Sequence, residues 1–219
     1  MLETHEIETG PNPQTTLIVL HGLGADGFDF VPICGELQLQ SLGAVRYVFP
    51  HADERAVTVN GGYRMRAWYD ILGADLVRRE DEAGLRQSQA QIAELIDRER
   101  SRGVAARRIV VMGFSQGSAM ALMTALRYPE RLAGVVGLSG YVPLAATTAA
   151  EVHAANADLP VFLAHGTRDP VVALARGTDS RDLLHRLGHA VDWHEYPMEH
   201  SVCGAEITDL NAWLLQHLA

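Results

Sequence analysis

Cysteine pairs, long apolar runs and excess positive charge are all scarce in this 219-residue chain. No run approaches the roughly 20 apolar residues that a membrane-spanning helix needs, so no integral membrane segment is expected. The opening residues MLETHEIETG carry acids and no apolar core, which argues against a secretory signal. Only Cys34 and Cys203 are present, too few for a disulfide framework, and a reducing, cytoplasmic home follows as the expectation. The chain has no zinc-type spacing, and neither a metal nor another cofactor is expected. Lys and Arg total 18 against 27 Asp and Glu, a formal net charge of −9, which disfavours nucleic acid as a partner.

What is present describes an ordinary globular protein. Hydrophobic residues make up 47% of the chain and charged ones 21%. This length buries a sizeable core without metal or disulfide support. No linker, internal repeat or low-complexity tract interrupts it, so residues 1–219 are expected to form a single domain.

The most informative stretch is RRIVVMGFSQGSAMALMTAL, residues 108–127. Its apolar, β-branched start, 109–112, reads as a buried strand. The run breaks at Gly113-Phe114-Ser115-Gln116-Gly117 and continues as a helix of small residues. Strand, sharp turn and helix are the context in which G-x-S-x-G becomes a nucleophile elbow. The turn strains the serine backbone and lifts its Oγ above the sheet, and glycines flank it because strand and helix cross closely there. The alternative is a glycine-rich turn whose serine only caps the helix.

Along the rest of the chain, strands are expected at 4–9, 15–20, 45–49, 132–138, 160–165 and 190–196. Helices are expected over about 28–41, 79–102, 172–187 and 204–218, and residues 50–75 read as the longest irregular stretch. Alternation of this kind predicts a doubly wound, mostly parallel α/β sheet with helices on both faces and no cap domain.

In such sheets a site lies beyond the carboxyl ends of the strands. Four such loops stand out: His21-Gly22-Leu23-Gly24, the elbow with Ser115, the loop with Asp169, and the loop with His200. Ser, Asp, His is the chain order of an α/β-hydrolase triad. Serine needs a base within hydrogen-bond reach, the role of His200, and Asp169 would hold the imidazole in the right tautomer. Backbone N–H groups of Leu23 and Gln116 fit an oxyanion hole. Other candidates are badly placed. His185 and His189 end a helix, His194 lies in a strand and His217 in the last helix. Asp158 precedes its strand, Asp179 and Asp182 lie on a helix, and Asp192 is in a strand. His21 and His165, each beside a glycine at a strand end, read as loop braces. Cys203 reads either as a redox switch or as a small buried helix residue. Trp68 either lines an acyl groove or fills core.

These residues together resemble the phospholipase/carboxylesterase family of α/β-hydrolases, which includes acyl-protein thioesterases. The matching segments are LHGLGADGFDF (20–30), NGGYRMRAWYDI (60–71), GFSQGSAM (113–120), LSGY (138–141), HGTRDPVV (165–172) and YPMEHSV (196–202). The resemblance implies Ser115, Asp169 and His200 as catalytic residues, with Leu23 and Gln116 at the oxyanion hole. It also implies an acyl groove shaped by the 60–72 loop, and Met65, Trp68, Leu72 and Val172 are the expected substrate contacts. The chain departs from the family at Ser118 and at Glu199, positions where members often carry glycine.

The expected function is a cofactor-free carboxylesterase for short- to medium-chain acyl esters, working through an acyl-enzyme. An acyl-protein thioesterase or lysophospholipase would use the same site. A non-catalytic binding protein on the same scaffold would be expected to lack a triad residue, and this chain lacks none. A homodimer through the apolar side chains of the 60–76 loop is left open.

Overall fold

A computed structural model describes residues 1–73 and 80–218. The strands are β1 (Thr4–Glu8), β2 (Thr15–Leu20), β3 (Val45–Pro50), β4 (Glu54–Val57), β5 (Tyr63–Arg66), β6 (Ile109–Phe114), β7 (Gly134–Leu138), β8 (Val161–Gly166) and β9 (Val191–Tyr196). The helices are α1 (Ile33–Glu36), α2 (Glu82–Ser101), α3 (Gln116–Arg127), α4 (Ala145–Glu151), α5 (Leu174–Arg186) and α6 (Gly204–Leu218). A seven-stranded sheet runs in the order β1-β3-β2-β6-β7-β8-β9, with only β1 antiparallel to its neighbour. This is the expected α/β-hydrolase fold. Among the described residues no helix is long and apolar enough to cross a membrane.

Interior strands are apolar on both faces because helices cover both. Successive side chains of a strand point to opposite sides. Ile18, Leu20, Ile109, Val111 and Val135 therefore pack with α2 and α3, while Leu17, Val19, Val110, Met112 and Val136 pack with α1 and α6. Register pairs Leu20 with Gly113, Phe114 with Leu138, and Gly166 with Tyr196. The carboxyl ends of β2, β6, β7, β8 and β9 thus emerge along one rim.

Three segments differ from expectation. The helix expected over 28–41 shrinks to four residues, α1, followed by a 3₁₀ turn at Gln40–Leu42. Ile33 and Leu37 keep the i, i+4 spacing of a helix, but buried Leu39, two residues on, breaks it, and Leu37 is already extended at φ −80°, ψ 129°. The irregular stretch 50–75 contains the antiparallel β4–β5 hairpin, turned by Gly61 and Gly62 at φ 67° and 77°. The connection after β7 carries α4, whose Ala/Thr sequence has no apolar stripe. The helix expected over 79–102 is α2 from Glu82; position 79 lies outside the described residues. Asp81 accepts from the Gly84 N–H at its start, and Gly103 stops it at φ 95°.

One buried acid gives the fold a pH dependence. Glu206, in the first turn of α6, has no exposed surface, and among the described residues neither carboxylate oxygen finds a donor in hydrogen-bonding geometry. Burial pushes its pKa up to about 8, opposed only by the nearby Cys203 N–H. Between about pH 4.5 and 8 the unfolded chain releases this proton and the folded protein keeps it, so stability falls as pH rises through that window. Glu206→Gln is expected to change thermal stability little at pH 5. At pH 8–9 it should raise it, by up to roughly 5 kcal/mol at 1.36 kcal/mol per pKa unit. Equal effects at both pH values would show that the acid is ionised in the folded state.

Candidate active site

Ser115 sits between β6 and α3 at φ 57°, ψ −118°, a conformation that L-residues rarely adopt. The close crossing explains its neighbours. A Cβ on Gly113 would lie 2.3 Å from the Gly117 carbonyl carbon, and one on Gly117 would lie 2.2 Å from the Leu20 carbonyl oxygen. Ser115 does not cap α3 with its side chain. Its Oγ lies 2.9 Å from His200 Nε2 instead.

His200 follows β9 and packs tilted against Phe114, ring centroids 4.7 Å apart. Its Nδ1 lies 2.6 Å from Asp169 Oδ2. Asp169, on the turn after β8, has a fully buried side chain, and its Oδ1 accepts the Val171 and Val172 N–H groups at 2.8 Å each. Two backbone donors and one imidazole N–H leave this buried carboxylate well satisfied. The arrangement fixes His200 as the Nδ1–H tautomer, with Nε2 open to a proton from Ser115. His165 braces the same turn, its Nε2–H donating to the Val172 carbonyl at 2.8 Å; burial lowers its pKa.

The loop after β2 presents Leu23 half-buried across from the elbow. Among the described residues, the backbone N–H groups of Leu23 and Gln116 have no acceptor. His21 holds this loop. Burial lowers its pKa to about 4, so the ring is neutral, donating from Nδ1 to the Gly22 carbonyl at 2.7 Å and accepting the Ala52 N–H at Nε2, 3.1 Å away. Gly24, at φ 75°, donates its N–H to the Arg66 carbonyl at 2.9 Å. The Gln116 side chain turns away from the site: Oε1 accepts the Trp68 N–H and Nε2 donates to the Tyr69 carbonyl.

The expectation for Trp68 needs correcting. It is 1% exposed and packs on His21, with ring centroids 5.2 Å apart, and its Nε1–H donates to the His21 carbonyl at 2.9 Å. Trp68 is core beneath the loop, not a wall of the pocket. Met65 packs near Gly24 and the Asn60 amide, and neither it nor Leu72 lines the cavity at Ser115. Val172 does. Cys203, expected within the last helix, lies half-buried just before α6. Glu199 is exposed.

One cavity is lined by Ser115 and another by His200. A largely apolar chamber of about 90 Å³ is lined by Leu23, Tyr69, Ser115, Gln116, Tyr141 and Val172, among others. A wider hollow of about 530 Å³ is lined by Asp29, Phe30, Glu36, Phe114, His200 and Cys203, among others. Tyr69, Tyr141 and Phe114 were not singled out in the sequence. Tyr141 was within reach: it follows β7, and the rule that selected the other loops applies equally to that strand end.

Comparisons with known proteins place the chain in a family. The family model described as phospholipase/carboxylesterase matches residues 2–218. A Yarrowia lipolytica protein named acyl-protein thioesterase 1 is 40% identical over 93% of this chain and 92% of its own. A Mycosarcoma maydis protein of the same name is 41% identical over 94% and 92%. The crystal structure of Zea mays acyl-protein thioesterase 2 superposes with a TM-score of 0.89 at 28% identity, covering 100% of both chains. That of Arabidopsis thaliana SOBER1 gives the same score and identity over 94% of this chain and 99% of its own. The chain therefore belongs to the phospholipase/carboxylesterase family of α/β-hydrolases, a family of hydrolases with esterases and thioesterases among its structural neighbours.

Proposed function

We propose that this protein is a serine hydrolase that cleaves acyl thioesters and carboxylic esters through an acyl-enzyme. The reading rests above all on the continuous hydrogen-bonded path from Ser115 Oγ through His200 to Asp169. Ser115 Oγ attacks the acyl carbon as its proton passes to His200 Nε2, and Asp169 stabilises the imidazolium. The carbonyl oxygen, now anionic, accepts from the N–H groups of Leu23 and Gln116 at the positive end of α3. Collapse breaks the bond to the leaving sulfur or oxygen, which takes the proton from His200 Nε2. Water then repeats the sequence on the Ser115 ester, releasing the carboxylic acid and restoring the serine.

The proton path also sorts the substrate. The leaving atom must face His200, which opens onto the wide hollow, while the acyl chain faces the chamber bounded by Leu23 and Gln116. Asp29 and Glu36 line the leaving-group side, so the phosphate of a lysophospholipid would meet like charge there. That favours thioesters and neutral esters over the lysophospholipase reading. The homologues named acyl-protein thioesterase support the thioester.

Purified protein is expected to turn over a thioester and a p-nitrophenyl ester of the same short acyl group. A fluorophosphonate should add one adduct, on the peptide bearing Ser115. Absence of the adduct, or its appearance on another residue, would overturn the reading.

A further inference from the structure

The ring of Tyr141 separates two hollows. On one face is the chamber of about 90 Å³ next to Ser115; on the other is a surface groove of about 440 Å³ whose lining includes Val142, Ala145, Arg176, Ser180 and Leu183. We propose that Tyr141 is the end wall of the acyl chamber and restricts this enzyme to short acyl groups. The proposal rests on the reading of Ser115 as the acylated nucleophile.

Three observations carry it. The first is volume. A water's share of the liquid is about 30 Å³, so the chamber holds about three such units, and a methylene fills about as much space. Three or four carbons beyond the carbonyl fill it. The second is rigidity. Tyr141 is 5% exposed and its hydroxyl lies 2.9 Å from that of Tyr69, itself 3% exposed. The Arg176 guanidinium sits over the ring, 3.8 Å from its centroid, on the groove side. The next residue is fixed as well, the Val142 N–H donating to Ser180 Oγ at 2.9 Å. The third is chemistry. Burial raises the pKa of both tyrosines, so the pair stays neutral and each hydroxyl depends on the other for a partner. An alkyl chain forced between the rings would leave two buried hydroxyls unpaired, which resists opening more than contact alone. Behind this wall the groove is already formed, so loss of the ring joins it to the chamber.

The test is kcat/KM for p-nitrophenyl esters from acetate to dodecanoate, on wild type and on Tyr141→Ala, Tyr141→Leu and Tyr141→Phe. Wild type should gain about fourfold per carbon up to butyrate or pentanoate. It should then lose at least tenfold by octanoate. Tyr141→Ala and Tyr141→Leu should move the optimum to octanoate or longer. Tyr141→Phe keeps the ring and should keep the short optimum. A wild type whose rate climbs through dodecanoate overturns the proposal whatever the variants do. So does a folded Ala or Leu variant, checked by thermal unfolding, that retains the butyrate optimum. Failure of Ser115 to take a fluorophosphonate strikes the underlying reading instead, so the two failures are distinguishable.

Discussion

Ser115→Ala should lower kcat on a short-chain ester by about a million-fold, leaving on the order of 10³–10⁴ over water from the oxyanion donors and binding. The loss is this large because Ser115 and His200 act as a unit: without Oγ, the base has nothing to activate. The fold should be untouched. The Ser115 side chain does not cap α3, and among the described residues its one contact of hydrogen-bond length is to His200. Alanine at φ 57° carries the same backbone strain as serine, so no new strain enters. Thermal unfolding should therefore match wild type to about 1 °C. A variant that keeps even a few per cent of the activity would exclude Ser115 as nucleophile. A variant that loses activity together with its cooperative transition would mean that the serine holds the turn rather than performs chemistry.

Trp68→Ala should give the largest loss of stability. Truncating a buried tryptophan costs about 3–5 kcal/mol, which for a chain of this size lowers the midpoint by roughly 6–20 °C. The truncation also removes the indole N–H that donates to the His21 carbonyl, while the main-chain bonds of residue 68 to Gln116 Oε1 and Ser88 Oγ are ones that alanine can still make. Because His21 begins the loop that carries Leu23, the damage should fall on the oxyanion donors. kcat/KM should drop by a similar factor for acetate and for longer esters, measured below the lowered midpoint. A loss confined to longer chains would return Trp68 to the acyl wall.

Trp68 also shows where sequence reading stops. Strands β2, β6, β7 and β8 were legible because unbroken apolar runs of that length are covered on both faces. The rule that sites gather at strand ends then selected Ser115, Asp169 and His200 from three distant loops, and the structure brings them within hydrogen-bond distance. The N–H groups of Leu23 and Gln116 stood out as candidate oxyanion donors from the glycines around them, and both are without an acceptor among the described residues. Side-chain direction in the 60–72 loop was not. Trp68 and Tyr69 are neighbours of similar apolar character, yet one braces the His21 loop and the other walls the chamber. No period distinguishes them, because the direction is set by the Gln116 amide gripping the backbone on either side. The hairpin of β4 and β5 was hidden for a related reason: exposed Glu54, Tyr63 and Arg64 mask its alternation. The four-residue α1 was over-read because its apolar residues look amphipathic until their spacing is counted.

The contact between Gly117 and the end of β2 has a consequence for how the enzyme tolerates change. Here α3 and β2 meet backbone to backbone, with no side chain between them, and Leu23 and Gln116 stand only a few residues from that contact on its two sides. The separation of the two N–H groups proposed as oxyanion donors is therefore gauged by the hard radii of main-chain atoms, which no substitution alters. Core residues farther down α3 or β2 can be exchanged for others of different volume, and the layers can shift to suit them. The gap between the donors is tied to a stop that every L-amino-acid chain supplies at the same thickness, provided position 117 remains glycine.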